Sequence, residues 1–300
     1  MDELSKDRVR SVVREQYGAV ARASGSSVPS CCGPGPEISA ALGYSDEEMA
    51  AVPDGANLGL GCGNPQAIAA LREGETVLDL GAGAGFDAFL AARRVGTTGR
   101  VIGVDMTPDM IAKARANAAR VGATNVEFRL GEIEHLPVAD GTVDVILSNC
   151  VINLSPDKEA VFREAFRVLR PGGRLAIADV VATADLPKEL ADDVAALTGC
   201  VAGAARVEAI EGWLRAIGFV DVRVTTKEES RAVVAEWFPG RGLERFVVSA
   251  NIEGFKPGGV RAAATATDAS ASDVGTDTTT TSAAKSTSCC APSCCPETKA

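Results

Sequence analysis

The sequence predicts an α/β fold, with helices flanking one doubly wound, mostly parallel sheet. Short apolar runs alternate with stretches of helical period between residues 76 and 181. The runs are apolar almost throughout, the pattern of strands buried on both faces. A glycine-rich turn, "GAGAG", joins the first run directly to a helix.

Each element follows in order. The first 23 residues predict a helix with Val9, Val12, Val13, Tyr17 and Val20 on one face. "SGSSVPSCCGPGPEIS" is a Gly/Pro/Ser loop carrying Cys31 and Cys32, "SDEEMAAVP" a short helix, and "ANLGLGCGNP" a second loop holding Cys62. "PQAIAALR" predicts a further helix. "TVLDL" is a buried strand, "DAFLAARRVG" a helix stopped by Gly96, "RVIGVD" a strand, and "PDMIAKARANAARVG" a helix with Pro108 near its start and Gly122 past its end. "VEFRL", "VDVILSN" and "RLAIADVV" are strands, with "KEAVFREAFRVLRPGG" a helix between the last two. "LPKELADDVAAL" and "RVEAIEGWLRAIG" are helical around "TGCVAGA", which holds Cys200, and "FVDVRVTTKE" and "RFVVSANIEGFK" are the last ordered stretches. The expected organisation is an N-terminal helix with cysteine-bearing cap loops (1–72), a cofactor-binding core (73–185), a region completing the fold and the substrate site (186–256), and a disordered Ala/Ser/Thr tail (257–300).

Composition narrows the function. A net charge of -10, with no basic run, argues against a nucleic-acid surface. No apolar window is long enough to span a membrane, and the charged N-terminus has no signal core, so a cytoplasmic protein is expected. Nine cysteines in a reducing compartment point to soft-ion or redox chemistry before a disulfide frame, and the single histidine, His135, leaves few general bases.

The glycine loop follows a strand bearing Asp79 and spaces Gly81, Gly83 and Gly85 as G-x-G-x-G. Phe86 stands where a dinucleotide fingerprint needs its third glycine, and no Gly-Lys-Ser/Thr follows for a phosphate loop. Asp105 ends the next strand, where a carboxylate can accept both hydroxyls of a ribose. A nucleoside cofactor without phosphates is expected. This arrangement resembles the class I S-adenosylmethionine-dependent methyltransferases, which implies a Rossmann-like core, S-adenosylmethionine as cofactor, and adenine contacts in "GEIEHLPV" from Glu132, Ile133 and Glu134. Tyr17, Met106 and Asn149 complete the candidate cofactor contacts, with Asn149 and Asn153 also expected to hold the loop after their strand.

Cys62, Cys150 and Cys200 do not have the spacing of a zinc ribbon. In this fold Cys150 leaves a central strand beside the cofactor, and the segments of Cys62 and Cys200 can cover that end of the sheet. Three thiolates select a soft centre, and trivalent arsenic suits three sulfur ligands while keeping a lone pair for attack on a methyl carbon. "LGYSDEEMAAVPDGANLGLGCGNP", "GVDMTPDMIAKAR", "LSNCVINLSPDK" and "GCVAGA" resemble arsenite methyltransferases from about residue 10 to 255. The resemblance implies that Cys62, Cys150 and Cys200 bind arsenite or methylarsenite. It also implies a relay thiol in "SCCGPG", Cys32 rather than Cys31, that enters a disulfide during turnover and is regenerated by thioredoxin or glutathione. Cys289, Cys290, Cys294 and Cys295, two doublets in the tail, are candidate accessory arsenic ligands. A monomer is expected. The alternatives are a quinone-type C- or O-methyltransferase with incidental cysteines, and a non-catalytic arsenic- or metal-sequestering protein.

Overall fold

The structure, a computed structural model, describes residues 3–23, 37–187, 194–237 and 240–258. Cys31, Cys32, the tail and its doublets lie outside the described residues.

The amphipathic N-terminal stretch forms α1 (Glu3–Arg22), burying Val13 and Val20. Three short helices follow: α2 (Glu37–Ala41), α3 (Asp46–Ala50) and α4 (Gln66–Ala69). Ser45 caps α3 in a capping box with Glu48. The alternating core is β1 (Thr76–Leu80), α5 (Phe86–Val95), β2 (Arg100–Asp105), α6 (Pro108–Val121), β3 (Val126–Leu130), β4 (Val143–Asn149), α7 (Lys158–Val168) and β5 (Leu169–Ala182). The chain closes with α8 (Val194–Thr198), α9 (Val207–Ile217), β6 (Val220–Lys227), α10 (Ser230–Trp237) and β7 (Val247–Phe255).

The strands form a seven-stranded sheet in the order β3-β2-β1-β4-β5-β7-β6. β1 to β5 pair in parallel, and β7 runs antiparallel between β5 and β6. Successive residues feed opposite faces. Val77, Val145 and Leu147 pack with Phe89 of α5 and Ile111 of α6. Leu78 and Ile146 pack with Phe162 of α7 and Leu214 of α9 on the other face. Phe162 is fully buried, a contribution of roughly 2–3 kcal/mol from its side chain alone.

Two expectations are corrected here, and one element is new. The helix predicted over 158–173 ends at Val168, and the chain enters β5 at Leu169. Pro171 drives the residue before it out of the helical region and has no N–H to donate. The helix predicted over 65–72 is a single turn, because Ala70 turns left-handed (φ 46, ψ 51). The Arg174 guanidinium holds that turn, donating to the carbonyls of Ala69 (2.7 Å) and Ala70 (2.9 Å) while gripping both Glu75 oxygens (2.7 and 2.9 Å). Finally, α10 was not predicted. It has eight residues and buries one of them, Val234, too little to set a readable period.

Candidate active site

The strand order reverses between β1 and β4, so the turns leaving their carboxyl ends diverge and open a crevice. Gly81 and Gly83 after β1, Asp105 at the end of β2 with Met106 after it, Ile133 and Glu134 after β3, and Asn149 at the end of β4 with Cys150 after it all line one cleft. Asp79 and, from α1, Tyr17 also line it.

The three glycines do different work. Gly83 (φ 52) donates its N–H to Asp105 Oδ2 at 3.0 Å, and a Cβ there would meet nothing nearer than Met110 Sδ at 4.0 Å. The space beside it is open for a ligand. A Cβ on Gly81 would fall 2.2 Å from Val151, so that glycine lets the β1 and β4 turns touch. Gly85 faces Phe89 and Phe128 instead of the cleft and starts α5.

Asp105 is aimed by Gly83 N–H on one oxygen and Thr107 N–H on the other (2.8 Å), leaving lone pairs of both for a diol. Asp79 is buried, and its Oδ2 has no hydrogen-bond partner. Burial, and then the charges of Asp87 and Asp105, push its carboxyl well above the usual range. An orphaned carboxylate oxygen facing the cleft fits a cationic ligand such as the sulfonium and ammonium groups of S-adenosylmethionine. In the unliganded protein Asp79→Asn is therefore expected to melt at a higher temperature than wild type at neutral pH, and to bind S-adenosylmethionine more weakly. Because burial raises the folded pKa, the wild-type penalty is full above that raised value, shrinks as pH falls through it, and is gone only below the ordinary carboxyl range. Melting curves across pH should show the gap narrowing over that window.

The helix α1 covers the cleft. Arg10 pairs with Glu132 (3.3 Å) and with buried Glu134 (3.7 Å), and Arg14 pairs with Glu132 (3.4 Å). Glu134 also accepts from the Ser155 hydroxyl at 2.7 Å. Glu132 is thus turned toward α1 and is not part of the cleft lining. Tyr17 donates to Thr198 O at 3.2 Å, tying α1 to the turn of Cys200.

The three cysteines converge. Cys62, Cys150 and Cys200 are each 2% exposed, and none is in a disulfide. All three pack in one buried cluster; the Cys62 and Cys150 sulfurs lie within 4.8 Å of each other, and Cys200 Sγ–H donates to Cys150 O at 2.8 Å. Cys150 (φ 59) and Cys200 (φ 61) both occupy the left-handed region, which costs a non-glycine residue about 1–2 kcal/mol. Cys62 is flanked by Gly61 and Gly63, whose added Cβ atoms would lie 2.7 Å from Asn149 Nδ2 and from Ala178 Cβ. Two bare backbones let this loop settle onto the ends of β4 and β5. Asn149 fastens it, accepting from Cys62 N–H (3.0 Å) and donating to Gly63 O (2.9 Å), Tyr44 Oη (3.0 Å) and Asp87 Oδ2 (3.2 Å). Asn153 links the other two thiol segments by donating to Asp179 Oδ1 (2.9 Å), Val180 O (2.6 Å) and Cys200 O (3.1 Å).

Burial pushes the Cys62 thiol up to about 11, and the Cys150 thiol is also raised, by burial and then by its two thiol neighbours. Burial therefore favours the neutral thiol over the thiolate at Cys62 and Cys150 while no ligand is bound. Asp179, in the middle of β5, is a site residue that sequence reading missed. Its carboxylate lies within 4.8 Å of the Cys62 and Cys150 sulfurs, and burial raises it to about 6. The signal for it was a lone acid inside the apolar run "AIADVV". Tyr44 and Asp87 were also missed. Both are buried and joined by a 2.7 Å hydrogen bond at the wall of the cleft.

The fold and the glycine–aspartate cleft define a class I S-adenosylmethionine-dependent methyltransferase, and residues 71–233 match the methyltransferase domain family. The chain belongs to the arsenite methyltransferases. It is 52% identical over 263 residues to a Halobacterium salinarum protein named arsenite methyltransferase, an alignment covering 84% of this chain and 67% of that one. A human arsenite methyltransferase is 37% identical over 159 residues, covering 50% of this chain and 42% of the human protein. The crystal structure of an arsenic(III) S-adenosylmethionine methyltransferase from Chlamydomonas reinhardtii is similar at 37% identity and a TM-score of 0.57, with 75% of each chain covered. The matched part therefore spans about two thirds of the halobacterial protein and less than half of the human one. Among the described residues no helix is long and apolar enough to cross a membrane.

Proposed function

We propose that this chain transfers methyl groups from S-adenosylmethionine to trivalent arsenic held by Cys62, Cys150 and Cys200. The observation that carries this reading is the packing of three buried cysteines in one cluster at the edge of the cofactor cleft, with Cys150 in its lining. Arsenous acid is neutral and carries three hydroxyls. Each thiol replaces one, forming an As–S bond while its proton leaves with the hydroxyl as water. Loading thus requires no base and matches thiols whose burial keeps them protonated. The bound cofactor supplies a sulfonium methyl carbon, an electrophile that accepts the arsenic lone pair. Asp105 and the Gly83 turn orient the nucleoside, the cysteines orient the arsenic, and α1 shields both from water. Transfer of this kind depends on position and desolvation and involves no proton abstraction, in keeping with a site that contains no histidine.

Methyl transfer leaves arsenic formally pentavalent, so a two-electron reduction must restore the trivalent state. Cys32 in the "SCCGPG" loop is proposed to form a disulfide with one of the arsenic-site cysteines, the two sulfurs together giving up the two electrons, and thioredoxin or glutathione then reduces that disulfide. Incubating the protein with S-adenosylmethionine, a thiol reductant and arsenite should yield methylated arsenic, separable by chromatography with elemental detection. Tight S-adenosylmethionine binding with no methylarsenic formed would reject arsenic as the acceptor and favour a small organic one.

A further inference from the structure

We propose that the crevice contains a second soft-ion site, built from Cys62, Cys150 and Asp179, which takes a divalent cation of the zinc–cadmium class in competition with arsenite. It shares two thiols with the proposed arsenic site, but cation binding can be measured without any methylation.

The ligand atoms of Cys62, Cys150 and Asp179 all lie within 4.8 Å of one another, and all three residues are buried. The centre of such a triangle is at most about 2.8 Å from each corner, against about 2.3 Å for Zn–S and about 2.0–2.2 Å for Zn–O bonds. Closure by about half an ångström completes the site.

The carboxylate is already oriented. Asp179 Oδ1 accepts from Val180 N–H (2.7 Å) and Asn153 Nδ2 (2.9 Å), whereas Oδ2 accepts from Ile152 N–H (2.8 Å) and has a lone pair to give to a ligand bond. Trivalent arsenic forms three bonds to sulfur and keeps its own lone pair. A filled-shell divalent cation has no such need and accepts mixed sulfur and oxygen donors. Cys200 can then stay engaged with Cys150 O. Binding turns two thiols into thiolates and releases two protons to solvent, with no change of oxidation state. Two thiolates and one carboxylate leave the site with one net negative charge. The positive charges of Lys158, which lowers the Asp179 carboxyl, and Lys227, which lowers the Cys62 thiol, offset it.

The test uses the full chain with Cys31, Cys32, Cys289, Cys290, Cys294 and Cys295 replaced by serine, so that three thiols remain. Titration with cadmium chloride should give one ion per chain. X-ray absorption at the metal edge should show two sulfur ligands with oxygen. Cys200→Ser should keep the cadmium affinity within about threefold while losing arsenite binding. Asp179→Asn should weaken cadmium by at least about tenfold while still binding arsenite. In the three-thiol chain, cadmium should raise the apparent Kd for arsenite. The proposal is overturned by three sulfur ligands at the metal edge, by cadmium loss in Cys200→Ser, by loss of both ions in Asp179→Asn, or by no bound cadmium. If cadmium binds as described but arsenic is never methylated, the functional reading fails and the cation site stands.

Discussion

Cys150→Ser is expected to reduce arsenic methylation by at least about a thousandfold in kcat/KM, or about 4 kcal/mol of transition-state stabilisation, while S-adenosylmethionine still binds. Cys150 is the thiol that lines the cofactor cleft, with the Cys62 sulfur within 4.8 Å and its own carbonyl accepting from the Cys200 thiol. Losing its bond to arsenic removes the connection that turns an encounter into a positioned, intramolecular transfer, and such positioning is worth about 7–11 kcal/mol in favourable cases. The swap is nearly isosteric and leaves a buried hydroxyl, costing about 1–3 kcal/mol of stability, so circular dichroism must confirm folding. Cys150→Gly separates backbone from chemistry. Glycine suits φ 59 without strain, so that variant should fold as well as the serine variant and be equally inactive. Product analysis alongside calorimetric cofactor binding decides. Methylation surviving in both variants would remove Cys150 from the reaction.

Gly203→Ala is expected to lower kcat/KM for arsenite by about a hundredfold without touching any proposed ligand. Its new Cβ would sit 2.0 Å from Asn153 O, a backbone atom that cannot swing aside. The Cys200 turn would have to retreat by about an ångström, and displacements of that size at a reacting centre cost about two orders of magnitude. The Asn153 amide that bridges Asp179, Val180 and Cys200 would be strained or broken as well. Stability should fall by about 1–3 kcal/mol, the usual cost of overpacking. Gly212→Ala is the control, because a Cβ there meets nothing within 4 Å on the exposed side of α9. It should leave kcat/KM unchanged and stabilise the helix by up to about 1 kcal/mol. S-adenosylmethionine affinity should be unchanged in both variants. Loss of cofactor binding in Gly203→Ala would indicate general collapse, and an unchanged kcat/KM would show that the turn tolerates the shift.

Much of this protein is legible in the chain because its signals are local. A strand such as "TVLDL", the turn residues after it and the Pro108 and Gly122 limits of α6 are encoded within a few residues of where they act. The same is true of Asp105, which a short loop holds at the tip of β2. The roles of individual glycines were not legible. Gly81, Gly83 and Gly85 look alike in sequence, yet one permits loop contact, one leaves ligand space and one admits two phenylalanine rings. Nor could the sequence reveal that "RPGG" begins a strand, or that β7 enters the sheet antiparallel beside β5.

By itself, then, the sequence determined the element types, their order, the nucleoside turn and the three cysteines worth following, since backbone propensity and hydrophobic period act over one element at a time. Only the tertiary structure decided that those cysteines meet as buried thiols, two of them on left-handed backbone, beside an aspartate from the middle of β5. The distance between Cys62, Cys150 and Cys200 is set by groups from four separate segments: Asn149, Asn153, Asp179 and the glycines at 61, 63 and 203. No local pattern encodes a distance that exists only after all of those contacts have formed together.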